Sequence, residues 1–164
     1  MKKVMLILMV LISPTLLATP LKDDQFKVGE ARFKYLFWKI YDSSLFAEDQ
    51  TYRSINQELT LNIDYKRNIP KKRIVEATQA QWEKLNYEQN KIEKWSEQMD
   101  DIIPEISKND QLAFHKDTEG VGAFYYNNEL IAKIEDKELS EAFLSIWLSK
   151  NTSQPKLRRR LIGD

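Results

Sequence analysis

The 164-residue chain contains no cysteine, so a disulfide framework, a thiol nucleophile and a thiolate metal site are all excluded. It has one histidine, His115, which leaves no second imidazole for a transition-metal site and nothing from which to assemble a Ser–His–acid triad. Excess charge is missing too. The 25 Lys and Arg balance 25 Asp and Glu, which gives no electrostatic footprint for nucleic acid. Glycine occurs four times, and "EGVG" at Glu119–Gly122 lacks the lysine and serine of a phosphate-binding loop. Internal repeats and low-complexity runs are absent. Neither a cofactor nor a metal is expected.

What is present begins with a leader. Met1-Lys2-Lys3 is positively charged, Val4–Ile12 is continuously apolar, and "SPTLLA" ends in the small residue Ala18. This layout predicts a secretory signal peptide over residues 1–18, cleaved after Ala18. A membrane anchor needs about 20 unbroken apolar residues, and Pro14 interrupts this run. No cysteine follows it, so lipid anchoring through a thiol is excluded. Residues 19–164 are expected to form a single domain, exported to the periplasm. They carry 23 basic and 25 acidic side chains, since the leader holds Lys2, Lys3 and no acid. A chain of this length buries roughly two thirds of its unfolded surface, enough for a core without disulfides.

Along the mature chain, "GEARFKYLFWKIYDSSLF" at Gly29–Phe46 reads as one strand, apolar on both faces and therefore covered on both. Arg32, Leu36, Trp38 and Ile40 would share one face, with Phe33, Tyr35, Phe37 and Tyr41 on the other. "ELTLNIDYKR" alternates Leu59, Leu61, Ile63 and Tyr65 against Thr60, Asn62, Asp64 and Lys66, a strand with one wet side. Pro70 suits a first helical turn, and Ile74, Thr78, Trp82 and Leu85 recur at helical spacing, predicting a helix over 70–86. Ile92, Trp95, Met99, Ile102 and Ile106 form a second helical stripe, bent or ended by Pro104. Three antiparallel strands follow in "QLAFHKD", "GVGAFYYNN" and "ELIAKIE", with Asn127-Asn128 as a two-residue turn. A helix beginning near Asp136 buries Leu139, Phe143, Ile146 and Trp147, and "QPKLRRRLIG" adds a short helical end. The fold class is α+β, with helices against one antiparallel sheet.

Four ordered blocks, "GEARFKYLFWKIYDSSLF", "LTLNIDYKRNIPKKRIVEAT..QW", "FYYNNELIAKIED" and "FLSIWLSKNTSQPKLRRRLIG", resemble those of the bacterial chalcone isomerase-like family, from about Gly29 to Gly163. Asn109-Asp110 departs from the Gly-Asp usual before the following strand. The resemblance implies a large antiparallel sheet wrapped around amphipathic helices, with a ligand cleft between them. It further implies either ring-closing isomerisation of chalcones, as in plant members, or fatty-acid binding, as in non-catalytic relatives. In the family an arginine on the early core strand meets the ligand oxygen, and Arg32 matches it. The threonine that plant enzymes use on that strand falls at Leu36 when the blocks are anchored on Tyr41, and Leu36 cannot hydrogen-bond. A one-residue slip would put Tyr35 or Phe37 there.

Arg32 is thus the leading candidate. Burying an unpaired guanidinium costs several kcal/mol, so it must meet a ligand carboxylate, an internal carboxylate such as Asp64 or Glu30, a set of backbone carbonyls, or bulk water. Tyr65 could donate to the same ligand oxygen, with Leu36 and Trp38 lining the site. Trp82, Trp95 and Trp147 are packing residues first, with pocket lining as the alternative, and His115 reads as surface or core filler. Arg158, Arg159 and Arg160 suit a helix C-terminus, with an anionic membrane surface as the sharper alternative. The favoured function is non-catalytic binding of a small amphipathic ligand such as a fatty acid, by a periplasmic protein. The alternatives are an intramolecular lyase acting on a chalcone-like enone, and a structural or interaction protein of the envelope. The last expects Arg32 paired internally and no cavity.

Overall fold

The computed structural model describes residues 25–164. The expected signal peptide, Met1–Ala18, lies outside them. Chain order is β1 (Phe26–Tyr35), β2 (Trp38–Ala47), β3 (Leu59–Tyr65), α1 (Lys71–Lys84), α2 (Gln89–Ile102), β4 (Gln111–Lys116), β5 (Gly122–Tyr126), β6 (Glu129–Ile134), α3 (Lys137–Leu148) and α4 (Pro155–Ile162). The strands form one six-stranded antiparallel sheet in sequential order, β1 to β6. The α+β architecture expected from the sequence is the one observed.

The single strand expected over Gly29–Phe46 is instead a hairpin. Tyr35 pairs with Trp38, and the chain reverses through Leu36-Phe37. Leu36 takes a φ of 53°, a left-handed value that costs a side chain with a Cβ about 1–2 kcal/mol. Glycine, asparagine or aspartate normally signals such a turn, and none is present here. The apolar run is not covered on both faces either, since Tyr35–Trp38 stand in solvent at the hairpin tip. Pairing fixes the faces below the tip. Phe33 lies opposite Tyr41 and Tyr41 opposite Tyr65, on the face toward the helices. Arg32, Asp42 and Asp64 lie opposite one another on the other face.

The alternation of β3 is as expected, with Leu59, Leu61, Ile63 and Tyr65 buried. Its other face is drier than expected, because Thr60 and Asn62 are also buried. The Thr60 hydroxyl donates to Gln25 Oε1 at 2.5 Å, with His115 Nδ1 2.9 Å away, so its burial is matched by hydrogen bonding, whereas Asn62 Oδ1 meets no donor among the described residues. Pro70 immediately precedes α1, and Asn86 (φ 61°) turns the chain just beyond its end. α2 buries Ile92, Trp95 and Met99 but stops at Ile102, two residues before Pro104. Ile106, expected on the same stripe, instead forms an isolated bridge with Ile69. Asn127 and Asn128 have φ of 49° and 70°, the left-handed pair the two-residue turn demands. Asp136 caps α3 by accepting from the Glu138 and Leu139 amides at 3.1 Å each.

The core lies between the inner sheet face and the helices. Trp82 of α1 is fully buried and its indole N–H donates to the Ala142 carbonyl of α3 at 2.9 Å. Phe114, Phe124 and Phe143 cluster with ring centroids 4.6–4.8 Å apart, fastening α3 to β4 and β5. α4 crosses β1 so closely that a Cβ on Gly29 would lie 2.2 Å from the Arg160 carbonyl oxygen and 2.6 Å from that of Leu161. Both are backbone atoms, which a rotamer change cannot clear. Gly29→Ala should therefore lower stability by about 1–3 kcal/mol in urea denaturation, the usual cost of overpacking, and should raise hydrogen exchange in α4.

Candidate functional site

A cleft of about 620 Å³ opens between the β1–β4 face of the sheet and helices α1 and α3. Phe33, Tyr41, Ile63, Tyr65 and Leu112 form its sheet side. Ile74, Ala77 and Thr78 face them from α1, and Phe143, Ile146 and Trp147 from α3. The helical period explains the α1 contribution, because positions 74, 77 and 78 share one face. Tyr35, Ile40, Asn68 and Ile69 with Arg67, Arg73, Gln81 and Gln154 complete the lining, which among the described residues contains no acid, lysine or histidine. Arg67 and Arg73 are exposed, which puts them at the rim.

Two tyrosine hydroxyls supply the interior polarity. Tyr41 accepts a hydrogen bond from the Trp147 indole N–H at 3.0 Å, tying β2 to α3 across the cleft. Burial pushes its pKa up to about 12, against a smaller opposing effect of that bond. Tyr65 is raised as well, by burial first and by neighbouring Tyr41 second. Both are neutral at ordinary pH and keep a proton to donate. Tyr65's hydroxyl bonds no other described residue, although the group lines the cleft. Thr78, by contrast, spends its hydroxyl on the Ile74 carbonyl at 2.8 Å.

The rim cations differ from each other. Arg73 Nη1 is bound to Glu76 Oε2 at 3.2 Å. Arg67 has no carboxylate partner among the described residues; its guanidinium lies over the Trp38 ring, 4.1 Å from the centroid. The sequence signal for these arginines is "KRNIPKKR", a basic run joining a sheet strand to a helix, which the focus on Arg32 passes over.

Of the residues singled out from sequence, Tyr65 lines the cleft. Arg32 does not. Its Nε and Nη2 donate to the two Asp42 oxygens at 2.5 and 2.8 Å on the opposite sheet face, beside a shallower cleft shared with Lys34, Lys156 and Arg160. The inward cation expected on an apolar strand is thus an exposed ion pair, because the hairpin pairing turns Arg32 outward with Asp42. Leu36 and Trp38, expected beside it, stand at the hairpin tip and do not line the cleft. Arg158 donates from Nε to the Leu148 carbonyl at 2.7 Å, which commits it to joining α4 to the end of α3. Arg159 and Arg160 are exposed. His115 is buried on β4, with Nε2 3.4 Å from Glu58. Among the described residues, no three His, Asp or Glu side chains gather as metal ligands.

A sequential antiparallel meander laid across helices, with an apolar cleft enclosed between them, defines an α+β protein of the ligand-cleft type. The chain belongs to the chalcone isomerase-like family, whose model matches residues 21–163. An uncharacterized protein of Haemophilus influenzae is 26% identical over 136 residues, covering 83% of this chain and 67% of that protein. In structure the chain is similar to a fatty-acid binding protein of Arabidopsis thaliana, with a TM-score of 0.66. That alignment covers 89% of this chain and 90% of the plant chain at 11% identity, a likeness of fold.

The Arg32–Asp42 pair has a measurable signature. The hydrogen bond from Arg32 holds the Asp42 carboxyl below its ordinary value, with Lys66 adding a smaller attraction. A depressed carboxylate stabilises the fold above its unfolded pKa of about 3.9, and that contribution disappears as pH falls through the depressed value. NMR titration should find Asp42 low in the native protein and back near the ordinary range in Arg32→Ala.

Proposed function

We propose that the protein binds a small amphipathic ligand, a fatty acid or a molecule of similar chemistry, without transforming it. The observation that carries this reading is an apolar cleft of about 620 Å³ whose charged lining groups, among the described residues, are two arginines. The acyl chain packs along Phe33, Ile63, Leu112 and Ile146, and each buried CH₂ contributes about 0.8 kcal/mol. Arg67 takes the carboxylate at the rim, where the indole face of Trp38 is its partner among the described residues. Tyr65 offers a neutral donor deeper inside. This arrangement moves the head group from Arg32, which Asp42 already satisfies, to an arginine at the cleft rim. The reading of a purely structural protein requires both an internally paired Arg32 and a filled interior; the pair is present, and the interior is open. Fatty-acid binding by the Arabidopsis protein of the same fold supports the choice of ligand.

Gentle extraction followed by native mass spectrometry should reveal co-purified lipid. In calorimetric titrations, affinity should rise about fourfold per added CH₂ until the cleft is full. Arg67→Ala should weaken carboxylate binding more than binding of the matching alcohol, whereas Arg32→Ala should change neither. A protein that is empty as isolated and indifferent to fatty acids of every chain length would overturn the reading.

The proposed place of action is the periplasm, on the strength of the leader. Fractionation of a C-terminally tagged protein should recover it there, with Edman degradation starting at Thr19. Recovery in the cytoplasm with Met1 retained would overturn that assignment.

A further inference from the structure

The β1–β2 hairpin ends in four large apolar side chains that the fold leaves in water. Phe37 is 93% exposed, Leu36 73%, Tyr35 65% and Trp38 56%. Folding does not require them. The turn would be less strained with glycine or asparagine at position 36, where Leu36 sits at a φ of 53°. A soluble protein gains nothing from a contiguous apolar tip, so the group points to an environment that water does not provide.

The surroundings of the tip specify that environment. Lys34, Lys39 and Arg67 have no carboxylate partner among the described residues, whereas Lys66 is paired with Asp42, Lys71 with Asp100, and Lys72 and Arg73 with Glu76. Arg67 is held against Trp38, and Lys66 is joined to β2 by its amide donating to the Ile40 carbonyl at 2.9 Å, so Arg67 joins Lys34 and Lys39 around the base of the tip. Two aromatic residues with polar edges, an aliphatic and a phenyl group at the apex, and a basic collar behind them match the layering of a lipid interface. The apex groups suit the acyl region, Trp and Tyr the head-group level, and the lysines and arginines the anionic phosphates. A protein partner would have to offer an apolar socket ringed by acids. A second copy would bring its own basic collar against this one, which charge disfavours.

We infer that the β1–β2 hairpin tip is a membrane-docking element, inserting Leu36 and Phe37 into the interface of an anionic bilayer while the basic collar binds phosphate. This surface is separate from the Arg158–Arg160 cluster, and its assignment does not depend on what occupies the cleft. Tyr35 and Arg67 belong both to the tip region and to the cleft lining, so docking brings the cleft mouth against the lipid surface.

The fluorescence of the protein isolates this site. Trp82, Trp95 and Trp147 are buried, which leaves Trp38 as the tryptophan able to report on a change of surroundings. The purified protein is mixed with vesicles of phosphatidylglycerol and phosphatidylcholine in equal parts, and with vesicles of phosphatidylcholine alone. With the anionic vesicles it should co-sediment, shift its emission to the blue and be quenched by lipids brominated on the acyl chain. Binding should weaken with salt, as expected for a screened collar. The double variant Leu36→Gly, Phe37→Ser should bind at least about tenfold more weakly, the loss expected from withdrawing two large apolar groups. Because glycine relieves the left-handed strain at position 36, its melting temperature should not fall, which separates lost docking from lost folding. Failure to co-sediment with anionic vesicles, or co-sedimentation that the double variant leaves unchanged, overturns the assignment. So does a blue-shifted Trp38 accompanied by a dimer in lipid-free sedimentation, which would give the tip to a second copy.

Discussion

The register of the β1–β2 hairpin is the constraint on which the molecule depends. Once Phe33 is opposite Tyr41 and Tyr41 opposite Tyr65, three aromatic rings line up under the helices and the ionic groups of Arg32 and Asp42 are sent to the other side. Side chains alternate with a period of two, so a shift of one residue would exchange these sets, putting a guanidinium under α1 and aromatic rings in water. Ring packing holds the register: Phe33 and Tyr41 stack at 5.2 Å and Tyr41 meets Tyr65 edge-on at 6.1 Å. Irregularities after Lys27 and Phe33 interrupt the ladder on both sides of the stretch where Gly29 admits α4. The hydrogen bond between Trp147 and Tyr41 then carries the same register across to α3.

Much of this architecture was legible where local chemistry speaks plainly. Alternation in Leu59–Tyr65, the Asn127-Asn128 turn, the helix start near Asp136 and the helical spacing of Trp82 and Trp95 each follow from a short-range rule. The hairpin was illegible because its turn is made of leucine and phenylalanine, residues that carry no turn signal and extend the apolar run on both sides. Missing it turned two strands into one and carried Arg32, Leu36 and Trp38 to the wrong places together. Tyr65 was placed correctly since its own strand alternates without ambiguity. Arg67 and Arg73 escaped notice for a different reason: their basic run resembles ordinary solvated loop, and only the folded chain brings Arg67 over Trp38 and both arginines to the cleft rim.

The interior chemistry of the cleft follows from what surrounds its hydroxyls. Tyrosine in a dry, aromatic setting stays protonated, because ionisation there would strand a charge away from water. Such groups can orient an oxygen without exchanging protons with it at ordinary pH. The charged lining among the described residues is all cationic and exposed, which would place an anionic head where water remains and an apolar tail where it does not. That division of labour suits carriage better than chemistry, and it keeps the cost of desolvating an ion out of the binding step.

The order of assembly is a last consequence of the sequential meander. Most strand pairs join chain neighbours through short connections, but β3 meets β4 only after the whole of α1 and α2 has been looped out, and α4 must return across the length of the chain to reach β1. Those two closures carry the largest loop entropy and belong to the slow part of folding. The cleft draws its walls from both sides of the β3–β4 seam, with Tyr65 on one and Leu112, Phe143 and Trp147 on the other. A partly folded chain therefore has no hollow to offer. Whatever the finished hollow holds is a guest of the native state alone, and it stabilises the fold by RT ln(1 + [L]/Kd), with no offset from binding to the unfolded chain.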